Sequence, residues 1–263
     1  MNRLNDVYAA LVQLVRRNPQ LTAATATTAL LACSLQLYRD YNLFLSYGPG
    51  GPPHNVYGWL LSRFLVTPFS WNMFSTTMYD TSIRRGETES YLETPLPKRK
   101  GERPRVGPHA IPQRQMDQFP PDQMRGELMS SFMALASSNK ESVRISPSNL
   151  ERHTEAMWLA DCIQPTPSAA RWTNGEFAHI HATGDHSLHV VLSPADAKQV
   201  LAAGWGQRHA LMGWGSLVSY APNLLHMPTG YVLVYAPRDE EELQLVLRIV
   251  KASMRFMTGR EVN

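Results

Sequence analysis

GEFAHIHATGDHSLHVVLSPADAKQVLAAGWGQRH, residues 175–209, holds five of the nine histidines in a chain of 263 residues. Side chains that titrate near neutral pH suit proton transfer or metal ligation, so function is sought here first. His179 and His181 are two apart. On a strand they share a face, with Cα atoms about 7 Å apart. Gly184-Asp185 then supplies a turn and SLHVVL resumes a β-rich run, which predicts a hairpin. A two-residue turn at Gly184-Asp185 sends His189 to the face away from His181. A three- or five-residue loop centred on Asp185 pairs His181 with His189 and puts three imidazoles on one face; it is preferred because it gathers the polar groups. His186 falls in the turn and reads as solvated. Glu176 is expected on the opposite side of the strand from His179, in a structural role.

Beyond the hairpin, Ser193 with Asp196 three residues on resembles a capping box, and Pro194 fits the first helical position. The helix runs to Gly204, a stop signal. It delivers Trp205-Gly206-Gln207-Arg208-His209 to a loop, where a fixed cation beside a titratable base suits an anionic ligand. The competing reading is a C-cap with a core tryptophan and a solvated arginine. An H-x-H pair also opens some metal sites, but no glutamate follows His181 until Glu240. That lowers the metal reading and leaves a three-histidine site open.

Working outward, YVLVYAP at 231–237 reads as a strand. Asp239 with Glu242 caps a long helix whose Leu243, Val246, Leu247, Val250 and Met254 form one apolar stripe. Met124 to Ala136 is expected to be helical and Val143 to Ile145 a short strand, while Leu150 to Leu159 is mixed, with ERHTEAMWL as a helix bearing His153. Strands and helices alternate irregularly, so the class is α+β with a small mixed or antiparallel sheet.

The N-terminal part differs. Leu4, Val7, Tyr8, Leu11, Val12 and Val15 recur at helical spacing before Arg16-Arg17, and Asn18-Pro19 breaks the pattern. No charge occurs from Asn18 to Tyr38. A helix of that length matches a bilayer core, so residues 1–38 read as an amphipathic and membrane-anchor segment, and 39–263 as one domain. The moderate polarity of the segment keeps a shallow anchor or a buried helix open. Arg3, Arg16 and Arg17 against Arg39-Asp40 favour a cytosolic N-terminus with the domain on the lumenal side; the expected location is single-pass association with the endoplasmic reticulum or another endomembrane. YGWLLSRFLVTPFSWNMF at 57–74, interrupted by Arg63 and Pro68, reads as an amphipathic element at a membrane surface or against the core. Residues 94–121 carry seven prolines. Their basic cluster, Lys98, Arg99, Lys100, Arg103 and Arg105, reads as solvated. With a net charge of +3, nucleic acid is not the expected partner. Two cysteines, Cys33 and Cys162, give no disulfide framework.

Several of these stretches carry a resemblance. GEFAHIH, the D-x-S-L-H at 185–189, GWGQRH at 204–209 and YAPRDEEE at 235–242 resemble the fungal luciferase family. RDYNLFLSYGP at 39–49, ERPRVGPHAIPQRQ at 102–115, His153 and the final KASMRFMT extend the likeness over nearly the whole chain. The resemblance implies oxidation of a hydroxylated styrylpyrone, 3-hydroxyhispidin, by molecular oxygen. An endoperoxide forms, carbon dioxide leaves and an excited product remains. No flavin, haem or nucleotide is implied, and O2 is the co-substrate; cofactor and metal are both expected to be none. The chemistry needs a base for the enol proton, a positive partner for the anion and a pocket that excludes water. The base is assigned to His179 or His181, oriented by His189 or Asp185. Arg208 and His209 hold the anion, and Trp205, Gln207 and His153 complete the substrate-binding set. The stretch between GWGQRH and YVLVYAP, longer than in luminous members, is expected to reshape or lid the pocket. Two rivals stand beside this reading: a membrane-tethered binding protein without turnover, and an enzyme using the histidines as metal ligands.

Overall fold

The computed structural model describes residues 2–70, 72–164, 168–212 and 227–263. Chain contacts divide it into two units, Met1–Ser46 and Tyr47–Asn263. The first holds helix α1 (Asn2–Arg17) and helix α2 (Pro19–Ser46). The break at Asn18-Pro19 is where the sequence puts it, because proline is accepted at a helix start and not inside one. α2 runs past Tyr38 and through Arg39 and Asp40 to Ser46, so the helix ends later than the apolar stretch alone predicts. It is long and apolar enough to cross a membrane, and no residue of the apolar window is buried.

The second unit is α+β. Six strands, β1 (Val143–Pro147), β2 (Glu155–Leu159), β3 (Glu176–Ile180), β4 (Leu188–Val191), β5 (Gly206–Arg208) and β6 (Tyr231–Val234), form one sheet. The order is β1-β2-β3-β4-β6-β5 and every pair is antiparallel. Its helices are α3 (Val56–Leu60), α4 (Thr77–Arg84), α5 (Asp122–Ser138), α6 (Ala170–Thr173), α7 (Pro194–Ala203) and α8 (Glu240–Thr258).

One face of the sheet is apolar. Ala178, Ile180, Leu188, Val190, Val232 and Val234 join the Val246, Ile249 and Val250 stripe of α8 in one buried cluster with residues of α5 and α7. Each such aliphatic side chain contributes about 1.5–3 kcal/mol by leaving water. Helix ends follow local chemistry. Ser193 Oγ accepts from the Asp196 N–H and Gly204 closes α7 in the left-handed region; Asp239 accepts from the Glu242 N–H to open α8. The Asp196 carboxylate also accepts from Ser90 Oγ–H and the Tyr91 N–H, which fastens the preceding irregular chain to α7.

Three expectations change. ERHTEAMWL is not a helix: residues up to 154 form a closed turn, and Glu155–Leu159 is a strand paired on both sides. Pairing with β1 and β3 outweighs the helical preference of Glu, Ala, Met and Leu. The basic cluster is not wholly solvated, since Arg99 is buried between Glu242 and Gln118 and lies over the Trp205 ring. Trp205–His209 is not a loop either, because Gly206–Arg208 pairs with β6 as the edge strand. The 57–74 stretch is a short helix, a wider π turn and a 3-10 turn that buries Trp59, Ser62 and Val66 and exposes Tyr57, Phe64, Leu65 and Phe69.

Candidate functional site

The second face of the sheet holds the polar groups. His179 pairs with His189, which pairs in turn with Leu233, and Gln207 lies opposite Leu233 on the far side. Directly paired residues share a face, so His179, His189 and Gln207 point the same way, with Tyr231 two residues from Leu233. The hairpin loop is odd but centred on Gly184, one residue earlier than the sequence suggests. His181 accordingly faces Ser187, its N–H donating to the Ser187 carbonyl. Because parity is unchanged, His181 still shares the face. The ring centroids of His181 and His189 are 4.7 Å apart, those of His179 and His189 5.4 Å, and those of His189 and His209 5.2 Å. Tyr231 stacks on His189 at 4.7 Å.

Glu176 corrects the strand reading. Trp158 pairs with Glu176 and Met157 with Ala178, so Phe177 is an extra residue in β3. A bulge of this kind shifts parity and turns Glu176 to the side of His179. Its Oε1 lies 2.7 Å from His179 Nδ1, and it also accepts from Ser148 Oγ–H and the Asn149 N–H. Burial works to raise the Glu176 pKa, but His179 and these donors outweigh it and hold the carboxyl below its usual value. Asp185 plays the matching part for His181. Its Oδ1 is 3.1 Å from His181 Nδ1, and it accepts from the Ser187 N–H, Ser187 Oγ–H and the Gln115 N–H. Burial raises the Asp185 pKa against the pull of Arg114.

His181 Nε2 is 3.0 Å from His189 Nδ1, and His189 Nε2 is 3.1 Å from Gln113 Oε1. Burial, followed by neighbouring cationic groups, pushes His181 and His189 well below the usual imidazole value, and His209 falls to about 3 for the same first cause. His209 Nδ1 accepts from the Leu211 N–H, so in the neutral ring Nε2 carries the proton.

Part of this cluster lines a narrow cavity of about 60 Å³. His179, His189, His209 and Tyr231 form one wall, and Gln113, Arg114 and Glu151 another. Pro52, Ile111, Leu150 and Met227 supply apolar contacts. Arg114 is completely buried and pairs with Glu151, while Nε donates to the Tyr47 carbonyl. Burial raises the Glu151 pKa, opposed by Arg114.

Other expected members lie elsewhere. Arg208 pairs with Val232, on the apolar face, and donates to the Ser75 carbonyl. Alternation along β5 separates it from His209 and the cavity. Trp205 is buried beside Pro97, to whose carbonyl its indole donates. Gln207 shares the histidine face but is held by the Tyr235 hydroxyl and does not line the cavity. His153 is exposed in the turn before β2. His181 sits behind His189 and is not in the wall. The expected loop or lid between GWGQRH and YVLVYAP falls mostly on residues 213–226, outside the described residues. Arg114, Glu151, Gln113 and Tyr231 were not singled out from sequence; the only available signal was that Arg114 and Gln113 lie inside ERPRVGPHAIPQRQ.

Comparison with known proteins places this site in context. A model of the luciferase domain matches residues 174–253, which span the hairpin, β5, β6 and much of α8. A curated luciferase of Armillaria mellea is 32% identical over 97% of this chain and 94% of its own length. One from Armillaria ostoyae is 34% identical over 92% and 90%, and one from Neonothopanus nambi 31% identical over 97% and 94%. No solved structure matches. With identity above 30% along nearly the full length of these relatives, the chain belongs to the luciferase family of Armillaria and Neonothopanus.

Proposed function

We propose that this chain is an oxygen-dependent oxidoreductase of luciferase type, acting on an enolisable hydroxylated styrylpyrone such as 3-hydroxyhispidin. The observation that carries the reading is the position of the cavity. It opens on His179, His189 and His209, buried imidazoles within the segment that matches the luciferase domain, with Glu151 across from them outside that segment. Loss of the enol proton makes an electron-rich anion that gives electrons to O2. Both oxygen atoms then bridge the pyrone ring as an endoperoxide, whose breakdown releases carbon dioxide and leaves an excited carbonyl product. The substrate supplies the electrons, so no flavin, haem or nucleotide enters the scheme.

Two groups at the wall suit proton acceptance: His179, whose Nδ1 is held by Glu176, and Glu151, whose carboxylate burial makes more basic. The His209 Nε2–H and Arg114 are the donors for the developing anion. The exposed apolar window of α2 supports a membrane tether, of which an endomembrane is the proposed site.

The test is oxygen uptake by the full chain with 3-hydroxyhispidin, followed together with carbon dioxide release and photon counting. Uptake matched by carbon dioxide is the expected result. Tight pyrone binding with no uptake would replace the enzyme by a binding protein.

A further inference from the structure

We propose that His179, His181 and His189 together bind one divalent transition-metal ion, with its remaining coordination positions facing the cavity. One ring nitrogen from each of the three lies within 4.8 Å of the other two. A hydrogen-bond count identifies which nitrogens these should be. Gln113 Nε2 donates to the Arg208 carbonyl at 3.0 Å, which fixes the amide with Oε1 toward His189. The reversed amide would set two acceptors against each other. His189 must therefore carry its proton on Nε2, leaving a lone pair on Nδ1.

The same count applies to His181. Ser187 spends its hydroxyl proton on Asp185 Oδ2, so both groups near His181 Nδ1, Asp185 Oδ1 and Ser187 Oγ, are acceptors there. The proton of His181 belongs on Nδ1 and its lone pair on Nε2. His181 Nε2 and His189 Nδ1 then face each other at 3.0 Å as two acceptors with nothing to share. His179 gives its Nδ1–H to Glu176, which leaves Nε2 as its third contribution.

Three ring nitrogens with free lone pairs, all within 4.8 Å of one another, are a set that a cation can draw together. Nitrogens bound about 2.0–2.1 Å from a common ion lie about 2.9–3.4 Å apart, and the 3.0 Å separation of His181 and His189 already meets this. Glu176 and Asp185 supply the carboxylates that hold ligating imidazoles in the correct tautomer and raise their basicity. Imidazole donors select borderline first-row ions, Zn²⁺, Fe²⁺ or Co²⁺, over Mg²⁺ or Ca²⁺. The inference departs from the cofactor-free expectation of the sequence. It rests on the proposed reaction only for what the ion would do, namely take an oxygen atom of a ligand in the cavity. With the His179 lone pair on the ion, Glu151 becomes the proton acceptor.

The experiment uses the full chain, purified without a histidine tag, stripped with a chelator and titrated with Co²⁺ in the absence of substrate. The expected result is one equivalent bound, visible d–d absorption bands and a rise in melting temperature. His189→Gln should abolish the bands, and Glu176→Gln, which retains all three imidazoles and is read only on protein whose fold circular dichroism confirms, should weaken binding on the order of tenfold to a hundredfold. Folded wild-type protein that gives no bands and no thermal shift overturns the proposal, as do bands unchanged in both variants. Because binding is read without turnover, Co²⁺ binding beside absent pyrone oxidation would fail the proposed reaction alone. Pyrone oxidation by protein that binds no Co²⁺ would fail the metal site alone.

Discussion

Arg114 is the largest completely buried side chain in the described part of the molecule, and its charge is balanced by Glu151, itself 4% exposed. Removing one member of such a pair leaves an uncompensated charge in a low-dielectric interior. Arg114→Ala should therefore lower unfolding free energy by about 3–5 kcal/mol, whereas replacing both residues by Met should recover much of that loss. Urea denaturation of the two variants checks this; equal losses would assign the effect to packing instead of charge. Neither residue was legible in the sequence as a partner of the histidines. Arg114 sits in a proline-rich basic stretch that looks solvated, and Glu151 in a turn that looked like a helix. Their meeting depends on tertiary placement. The histidines were legible because alternation on adjacent strands is a local rule, and one odd-length loop preserves it whichever residue lies at its centre.

At the scale of elements, what local chemistry controls was readable: the caps of α7 and α8, the break before α2 and the hairpin. Two things were not. The bulge at Phe177, which turns Glu176 toward His179, leaves no mark in FAHIH because it arises from pairing with β2. The switch of EAMWL from helix to strand likewise comes from neighbours on both sides. α2 makes its own prediction. No residue of its apolar window is buried and it is long enough for a bilayer, so deleting residues 1–38 should release the protein from carbonate-washed membranes while circular dichroism shows a folded domain. Continued pelleting of the folded truncated chain would transfer the anchoring role to another surface, with the exposed Tyr57, Phe64, Leu65 and Phe69 as the first to examine.

For the molecule as a whole, the α+β class followed from irregular alternation of elements. The strand order did not, since β6 enters between β4 and β5 through contacts distant in sequence. That order decides stability as well as function, because it encloses His181, His189 and His209 between the sheet and the chain around Arg114. Burial lowers all three pKa values, His209 to about 3. The unfolded imidazoles titrate near about 6.5. Below that pH the unfolded chain binds protons that the folded chain refuses, so stability is lost as pH falls. The slope is about 1.4 kcal/mol per pH unit for each group, and about 4 kcal/mol per unit if all three act together. Glu151 and Asp185 work in the opposite sense at lower pH, because their raised pKa values favour the folded state as it takes up protons. The loss therefore begins at about pH 6.5 and continues toward the folded-state values, about 3 for His209, with Glu151 and Asp185 offsetting only part of it. A domain with about 5–15 kcal/mol in hand should lose much of its stability there. Melting temperatures of the chelator-treated full chain should be level from pH 8 to 7 and fall sharply below about 6.5. A flat profile down to pH 5 would mean that the imidazoles take up protons inside the fold, and would remove the neutral, acceptor-facing arrangement of His181 and His189.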